Sequence, residues 1–273
     1  MSEFAPSYYK NFKCIADKCR HNCCIGWEID IDAETLEKYQ TDDSIMKNVS
    51  LEGTPHFVLG QDDRCPFLQE DNLCEIIKNH GEGHLCQICR DHPRFRSFFD
   101  SRTEIGLGLT CEAATKLILD NDFSLECLVD DGESPLEFDD EAEFFEYRDE
   151  VFAKKLDDFR HLLPDMKISE LAEIFRSLER LDTAWDSVLD GLECRQEKLY
   201  EIVPEEPFAT RLFHYFVYRH FHDTGLKFCV LCAYFVCLID GDIYENARMF
   251  SSEIEYSDEN IELILEKVLD YNE

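Results

Sequence analysis

Four thiols crowd into eleven residues as Cys14-x4-Cys19-x3-Cys23-Cys24, and Cys65-Pro66, Cys74 and Cys86-x2-Cys89 follow. Thiolates this dense repel one another unless a cation neutralises them or they are oxidised. A C-x2-C pair lets two sulfurs converge on one metal from a single tight turn. The opening residues MSEFAPSYYK have neither the basic nor the apolar segment of an export signal, so the expected compartment is the cytoplasm. Reduced thiols holding a metal are then expected instead of a disulfide framework. Two four-cysteine zinc sites would use all eight, and one iron–sulfur cluster would use four. Spacing favours a soft metal without choosing between them. The radical S-adenosylmethionine signature is absent, because Gly26 stands where a third cysteine would follow Cys19-x3-Cys23.

Other residues have weaker claims to chemistry. Gly106-x-Gly108-x-x-Cys111 lies between an extended run and a helix start, like a degenerate nucleotide loop with cysteine for the third glycine. Gly106 and Gly108 are candidate cofactor contacts, against a reading as a tight turn that aims Cys111. Arg90, Arg94 and Arg96 are the densest basic patch, and Arg94 is a candidate for the carboxylate of an amino-acid-like cofactor. His92 is an alternative metal ligand that the supply of cysteines makes unnecessary. Tyr8, Tyr9, Phe12 and Trp27 flank the first thiols, and Tyr215 and Tyr218 share a helix face where they could hold an ammonium group by cation–π contact. Aromatic faces more often form core. Cys229, Cys232 and Cys237 lie in the apolar run Phe228 to Ile239 and read as core thiols. No catalytic base is singled out.

The elements that must position these groups differ along the chain. Trp27 to Ile31 alternates as a strand. Asp32 caps an expected helix from Ala33 to Tyr39. Arg64 to Leu68 and Leu73 to Ile77 flank the turn Glu70-Asp71-Asn72 as a hairpin. Glu104 to Leu109 is extended, and Thr110 caps a helix from Cys111 to Leu119. Helical spacing then runs over Glu141 to Leu163, Ile168 to Trp185, Phe208 to Phe221, Leu226 to Ile239 and Asn260 to Leu269. The expected fold is mainly α with an α+β part. A small irregular cysteine module occupies 1–119 and an acidic helical region 136–273, joined by a linker at 130–135.

Composition bounds the partners. Of 14 cysteines, nine fall in residues 1–111, which carry a net charge of −7, while the remainder carries −26 of the total −33. Such a balance excludes nucleic acid, whose phosphates need clustered cations, and disfavours anionic membrane surfaces. The longest apolar run has 12 residues, short of the about 20 that span a bilayer. The segment from Glu137 to Glu150, with eight acids and one base, reads as a solvated helix face that could also attract lysine-bearing partners.

Residues 8–27, YYKNFKCIADKCRHNCCIGW, resemble the opening of the flagellin lysine-N-methylase family. Cys65-Pro-Phe-Leu, Leu73-Cys74, and Leu85-Cys86 through Cys89 to Arg94 continue in the same order. Glu104 to Glu112, Arg211 to Phe221 and Ser252 to Asn260 resemble further blocks, whereas roughly 120–205 has no such likeness. The N-terminal part is also similar to a wider group of zinc- or iron-chelating cysteine domains. The resemblance implies methyl transfer from S-adenosylmethionine to lysine side chains of flagellin. It also implies an iron–sulfur cluster, four-iron in preference to zinc, held among Cys14, Cys19, Cys23, Cys24, Cys65, Cys74, Cys86 and Cys89. The alternatives are a non-enzymatic zinc- or iron-binding protein and a zinc-stabilised interaction module.

Overall fold

The chain opens on a five-residue strand, β1 (Ser2–Pro6), whose partners lie about a hundred residues further on. The structure is a computed structural model that describes residues 1–130 and 139–269. Apart from Asp130, the expected linker lies outside the described residues, as do the first two positions of the acidic segment at 137–138. Backbone contacts gather the chain into two compact units, Lys13–Phe95 and Met1–Phe12 with Arg96–Glu273. This division departs from the expected 1–119 against 136–273. Strand pairing is the reason: β1 is bound into the later sheet, and 96–119 goes with it.

In the smaller unit, α1 (Ala33–Tyr39) begins where expected, with the Asp32 carboxylate accepting the Thr35 N–H at 3.0 Å. α2 (Asp43–Met46) is capped by Asp42 in the same way. β2 (Val49–Ser50) and β3 (His56–Phe57) form a short antiparallel pair. Trp27 to Ile31 is not a full strand. It makes one bridge, Asp30 to His56, and exchanges bonds with Pro55 and Phe57 while burying Ile29 and Ile31. Its neighbour is simply too short to extend the ladder. The expected hairpin also stops early. Leu68 bridges Cys74 across the turn, and the second arm then becomes α3 (Glu75–His80). Glu75 in its first turn, Lys78 and His80 in its last, and Gly81 at φ +84° are helix signals that outweigh the short apolar run. α4 (Gln87–Asp91) closes this unit.

The larger unit holds a four-stranded sheet in the order β4-β5-β1-β6, with β4 (Arg94–Phe98), β5 (Arg102–Leu107) and β6 (Leu125–Val129). The boundary between units falls within β4. β1 runs parallel to β5 and antiparallel to β6. After α5 (Glu112–Asp120), the expected long helix from Glu141 is two elements: α6 (Asp139–Phe152) and a 3-10 segment, Leu156–Leu162. The expected Ile168 to Trp185 helix is likewise broken into α7 (Ile168–Arg176) and α8 (Trp185–Glu193). α9 (Phe208–Thr224) and α10 (Leu226–Leu238) form a helical hairpin that turns at Gly225, φ +79°. α11 (Ile243–Phe250), a π-helical turn over Ser251–Glu255, and α12 (Asp258–Leu269) complete the order.

Apart from the exposed Lys227 in its first turn, α10 is apolar all round and buried almost throughout, so it is the axis of the core. Phe235 stacks on Phe175 at 4.1 Å, with Trp185 and Phe250 against them. Cys229 and Cys232 are buried there among apolar side chains, and burial pushes both thiols up. α6 is weakly amphipathic and is held by polar clamps instead. Arg148 donates bidentately to the buried Glu104 of β5 at 2.6 and 2.8 Å, and Glu141 accepts from the Asp100 and Ser101 N–H groups. The described chain is mainly helical with a smaller strand content, the expected α-rich α+β class. No described helix is long and apolar enough to cross a membrane.

Candidate metal centre

The thiols of the smaller unit are brought together by its turns. The Cys65 N–H donates to the Cys24 carbonyl at 2.8 Å, and Gly26 N–H donates to Asp63 one step further on. Gly26 has φ +78°, a left-handed position that lets the chain turn immediately after the Cys23-Cys24 pair. Arg64 fixes the other side of Cys65 by donating to the carbonyls of Leu68 and Gln69. Cys74 follows the turn and stands at the N-cap of α3, and Cys86 stands at the N-cap of α4. Cys89 lies three residues into α4, so its sulfur comes back within 3.4 Å of Cys86 Sγ.

These positions converge on one core. Cys65 and Cys86 are buried among Ile29, Ile31, Tyr39, Phe57 and Phe67, and the half-buried Cys24, Cys74 and Cys89 pack against the same cluster. Cys23 is exposed but its thiol is hydrogen-bonded to Cys24. The remaining two candidates do not join them. Cys14 is exposed and its sulfur accepts from the Ala16 N–H, while Cys19 donates to the His21 carbonyl. The structure therefore gathers five of the eight sequence candidates, with Cys23 at the edge.

The electrostatics are those of closely packed thiols. The hydrogen bond to Cys23, burial, and the thiols of Cys23, Cys65 and Cys74 all push Cys24 up. Cys89 is pushed up by its bond to Cys86, by burial, and by Cys86, Cys24 and Cys65. Burial raises Cys65 to about 11, whereas the hydrogen bonds with Cys24 and Cys89 lower Cys23 and Cys86. Within each pair one thiol is pushed down and the other up, and a soft cation would favour the thiolate form of both. The donor set fits a thiophilic metal by its chemistry. No closed ligand sphere is formed, however: among the described residues no three His, Cys, Asp or Glu side chains make a metal-holding group.

Two supporting residues were not singled out as part of this site in the sequence. Asp32 caps α1 with one oxygen and with the other accepts the Gln87 N–H at 2.7 Å, tying α1 to the Cys86-x2-Cys89 turn. Burial opposes its charge, but the Gln87 and Thr35 N–H groups outweigh it and hold the carboxyl below its usual range. Tyr39 donates to the His84 carbonyl and anchors the approach to Cys86. Asp32 showed its capping role by position; its second bond spans 55 residues and left no local signal.

The other candidates are placed as follows. His92 is half-buried, and burial with the nearby Arg94 lowers it to about 4, so it is neutral at ordinary pH. Arg94 donates to the Arg90 carbonyl within the same small unit. Gly106 and Gly108 belong to the larger unit, Gly106 in β5 and Gly108 just after it. The extended run expected before this loop is β5. Thr110 does not cap α5; Cys111 occupies that position, and Thr110 Oγ1 shares a 2.8 Å hydrogen bond with Ser252. Tyr8, Tyr215 and Tyr218 are core residues.

No family model matches the chain. It is 28% identical over 131 residues to two Salmonella proteins named lysine-N-methylase, from S. choleraesuis and S. typhimurium. The chain resembles the flagellin lysine-N-methylase family. The same identity relates it to the flagellar biosynthetic protein FliU of S. muenchen. These matches take in 42% of this chain, 32% of each methylase and 76% of FliU. The chain thus spans about a third of the length of the methylases it resembles. No solved structure matches.

Proposed function

We propose that the chain is a protein-lysine N-methyltransferase that methylates flagellin in the cytoplasm, with S-adenosylmethionine as donor and a cysteine-bound iron–sulfur cluster. The observation that carries this reading is the likeness to proteins named lysine-N-methylase; the flagellar name of the third relative supports the substrate. In such a reaction the neutral lysine amine attacks the sulfonium methyl. The S–CH3 bond breaks, the N–CH3 bond forms, S-adenosylhomocysteine leaves and one proton is released. Cys24, Cys65, Cys74, Cys86 and Cys89 would hold the metal group, whose soft-metal chemistry matches their sulfurs. The strongly acidic chain, at −33, supports a basic protein substrate over nucleic acid.

The test is transfer of label from S-adenosylmethionine to flagellin by anaerobically prepared, metal-loaded protein. Labelled methyl-lysine is expected. Absence of product with a loaded metal site overturns the enzyme reading in favour of a non-enzymatic metal-binding protein. A colourless, zinc-only protein overturns the iron–sulfur assignment.

A further inference from the structure

Most buried charges of the larger unit are spent on one another. The Glu255 carboxylate pairs with His220 Nε2 at 2.5 Å and with Arg219 Nε at 3.4 Å. Burial opposes its charge, but Arg219 and His220 outweigh it and hold the group at about 2. Glu104 is taken up by Arg148 and Arg102 in the same way. Charged side chains that lack a partner and line a cavity are found instead along the 3-10 segment Leu156–Leu162 and its surroundings. Two adjoining clefts, both open to solvent, follow this segment. The first, about 420 Å³, is walled by Asp157, Asp158, Arg160 and Tyr200. The second, about 230 Å³, is walled by Leu162, Pro164, Val268, Leu269 and Lys227. His161 and Leu163 line both, so they form the ridge between two halves of one groove.

The first cleft is braced by its own polar groups. Arg160 Nε donates to Asp157 at 2.8 Å, Arg160 Nη1 donates to the Tyr200 carbonyl at 2.9 Å, and the Tyr234 hydroxyl donates to Asp157 at 3.1 Å. These bonds join the segment to the 3-10 turn Leu199–Glu201 and to α10, and they use up the charge of Arg160. What is left unpaired is dipolar. Asp158 is exposed and gives one oxygen to the Lys155 N–H at 3.0 Å, with no cation paired to it among the described residues. The Tyr200 ring in the same cleft is 39% exposed, and the nearby Lys198 ammonium is held by Asp165. Lys227 is exposed and makes no ion pair among the described residues. No acid lines its cleft, although the chain carries −33. One end of the groove thus offers a carboxylate beside an aromatic ring, the middle offers aliphatic walls, and the other end offers an ammonium group. Small molecules favour enclosed cavities. Two open clefts in a row suit an extended peptide, which drops its side chains into successive pockets. A lysine can lay its apolar stem along a ring while its head reaches a carboxylate.

We infer that this groove docks an extended segment of the protein substrate, with a lysine or arginine side chain against Asp158 and Tyr200 and an acidic side chain against Lys227. The inference rests on the protein-substrate reading above and adds where the substrate is held. Most of the lining, residues 157–164 and Tyr200, comes from the 120–205 stretch that lacks likeness to the flagellin methylases. The groove is therefore a feature by which this chain selects its own partner.

Binding of monomeric flagellin to the metal-loaded full chain, followed by biolayer interferometry, tests this. Asp158→Asn keeps an acceptor for the Lys155 N–H and is expected to weaken binding about threefold or more, the worth of one exposed ion pair. Lys227→Glu is expected to weaken it about tenfold or more, because two carboxylates then face each other. The second variant also makes the chain more acidic, so attraction by net charge alone would tighten binding to a basic segment. Wild-type affinity in either variant, or tighter binding by Lys227→Glu, overturns the groove and leaves the substrate reading intact. A wild-type chain that does not bind flagellin overturns both.

Discussion

Cys86 Sγ and Cys89 Sγ stand 3.4 Å apart because one caps α4 and the other lies three residues along it. That spacing is near what two sulfurs on one tetrahedral metal require, given metal–sulfur bonds of about 2.3 Å. The pair is packed against the same core as Cys24, Cys65 and Cys74, which separates these five from the exposed Cys14.

The separation predicts a graded response to substitution. Cys86→Ser and Cys89→Ser should each lower the metal content of anaerobically purified protein to a small fraction of wild type. Cys14→Ser should leave it unchanged. Elemental and acid-labile sulfide analysis reads both, and equal losses in all three variants would remove the five-thiol assignment.

Asp32 predicts an effect transmitted through backbone. Asp32→Ala removes the cap of α1 and the acceptor of the Gln87 N–H together. A stability loss of about 1–2 kcal/mol is expected in urea unfolding. Metal affinity should fall about 10- to 100-fold, as for other residues that orient ligands. A chelator competition assay measures the second quantity separately from the first.

Glu255 predicts acid sensitivity. Its folded value of about 2 lies below the ordinary 4.5, so the folded state is favoured by its ionisation above pH 4.5 and loses that contribution as pH falls towards 2. The contribution is on the order of 3 kcal/mol at 1.4 kcal/mol per pH unit. Denaturation midpoints measured from pH 6 to 2 should fall more steeply for wild type than for Glu255→Gln. Parallel curves would show that folding does not lower the Glu255 pKa.

Glu104 and Arg148 predict a large cost of unpairing. Both are buried, at 0% and 1% exposure, and Arg102 also pairs with Glu104. Arg148→Met strips the carboxylate of its bidentate partner and should destabilise the chain by about 3 kcal/mol. Denaturant unfolding followed by circular dichroism checks it. A change below about 1 kcal/mol, the worth of an exposed pair, would mean that Arg102 compensates fully.

The core thiols make the opposite prediction. Cys229→Ala and Cys232→Ala should leave metal content untouched, and both thiols should resist alkylation until the chain unfolds, since burial holds them protonated. Reaction of either in the native state would mark the α10 core as open.

Local patterns settled much of this protein. The Asp32 cap, the apolar run of α10 from Phe228 and the C-x2-C turn are written in consecutive residues, because capping, burial and tight-turn geometry act over a few positions. Where the sequence misled, a competing local signal or a distant partner decided. The arm from Leu73 became a helix once only a single bridge to Leu68 was available, and α6 ended at Phe152 instead of continuing to Pro164. β1 and the residues around Gly106 left the cysteine module because their hydrogen-bond partners lie in the later sheet. The eight spaced cysteines announced a thiol site, but only packing separated the five that share a core from Cys14 and Cys19. Tyr215 and Tyr218 read as one aromatic helix face, but in the structure Tyr215 acts with Arg219 and His220. Their joint role around Glu255 and Leu109 appears only in three dimensions, because hydrogen bonds spanning 35 to 106 residues leave no periodicity to read.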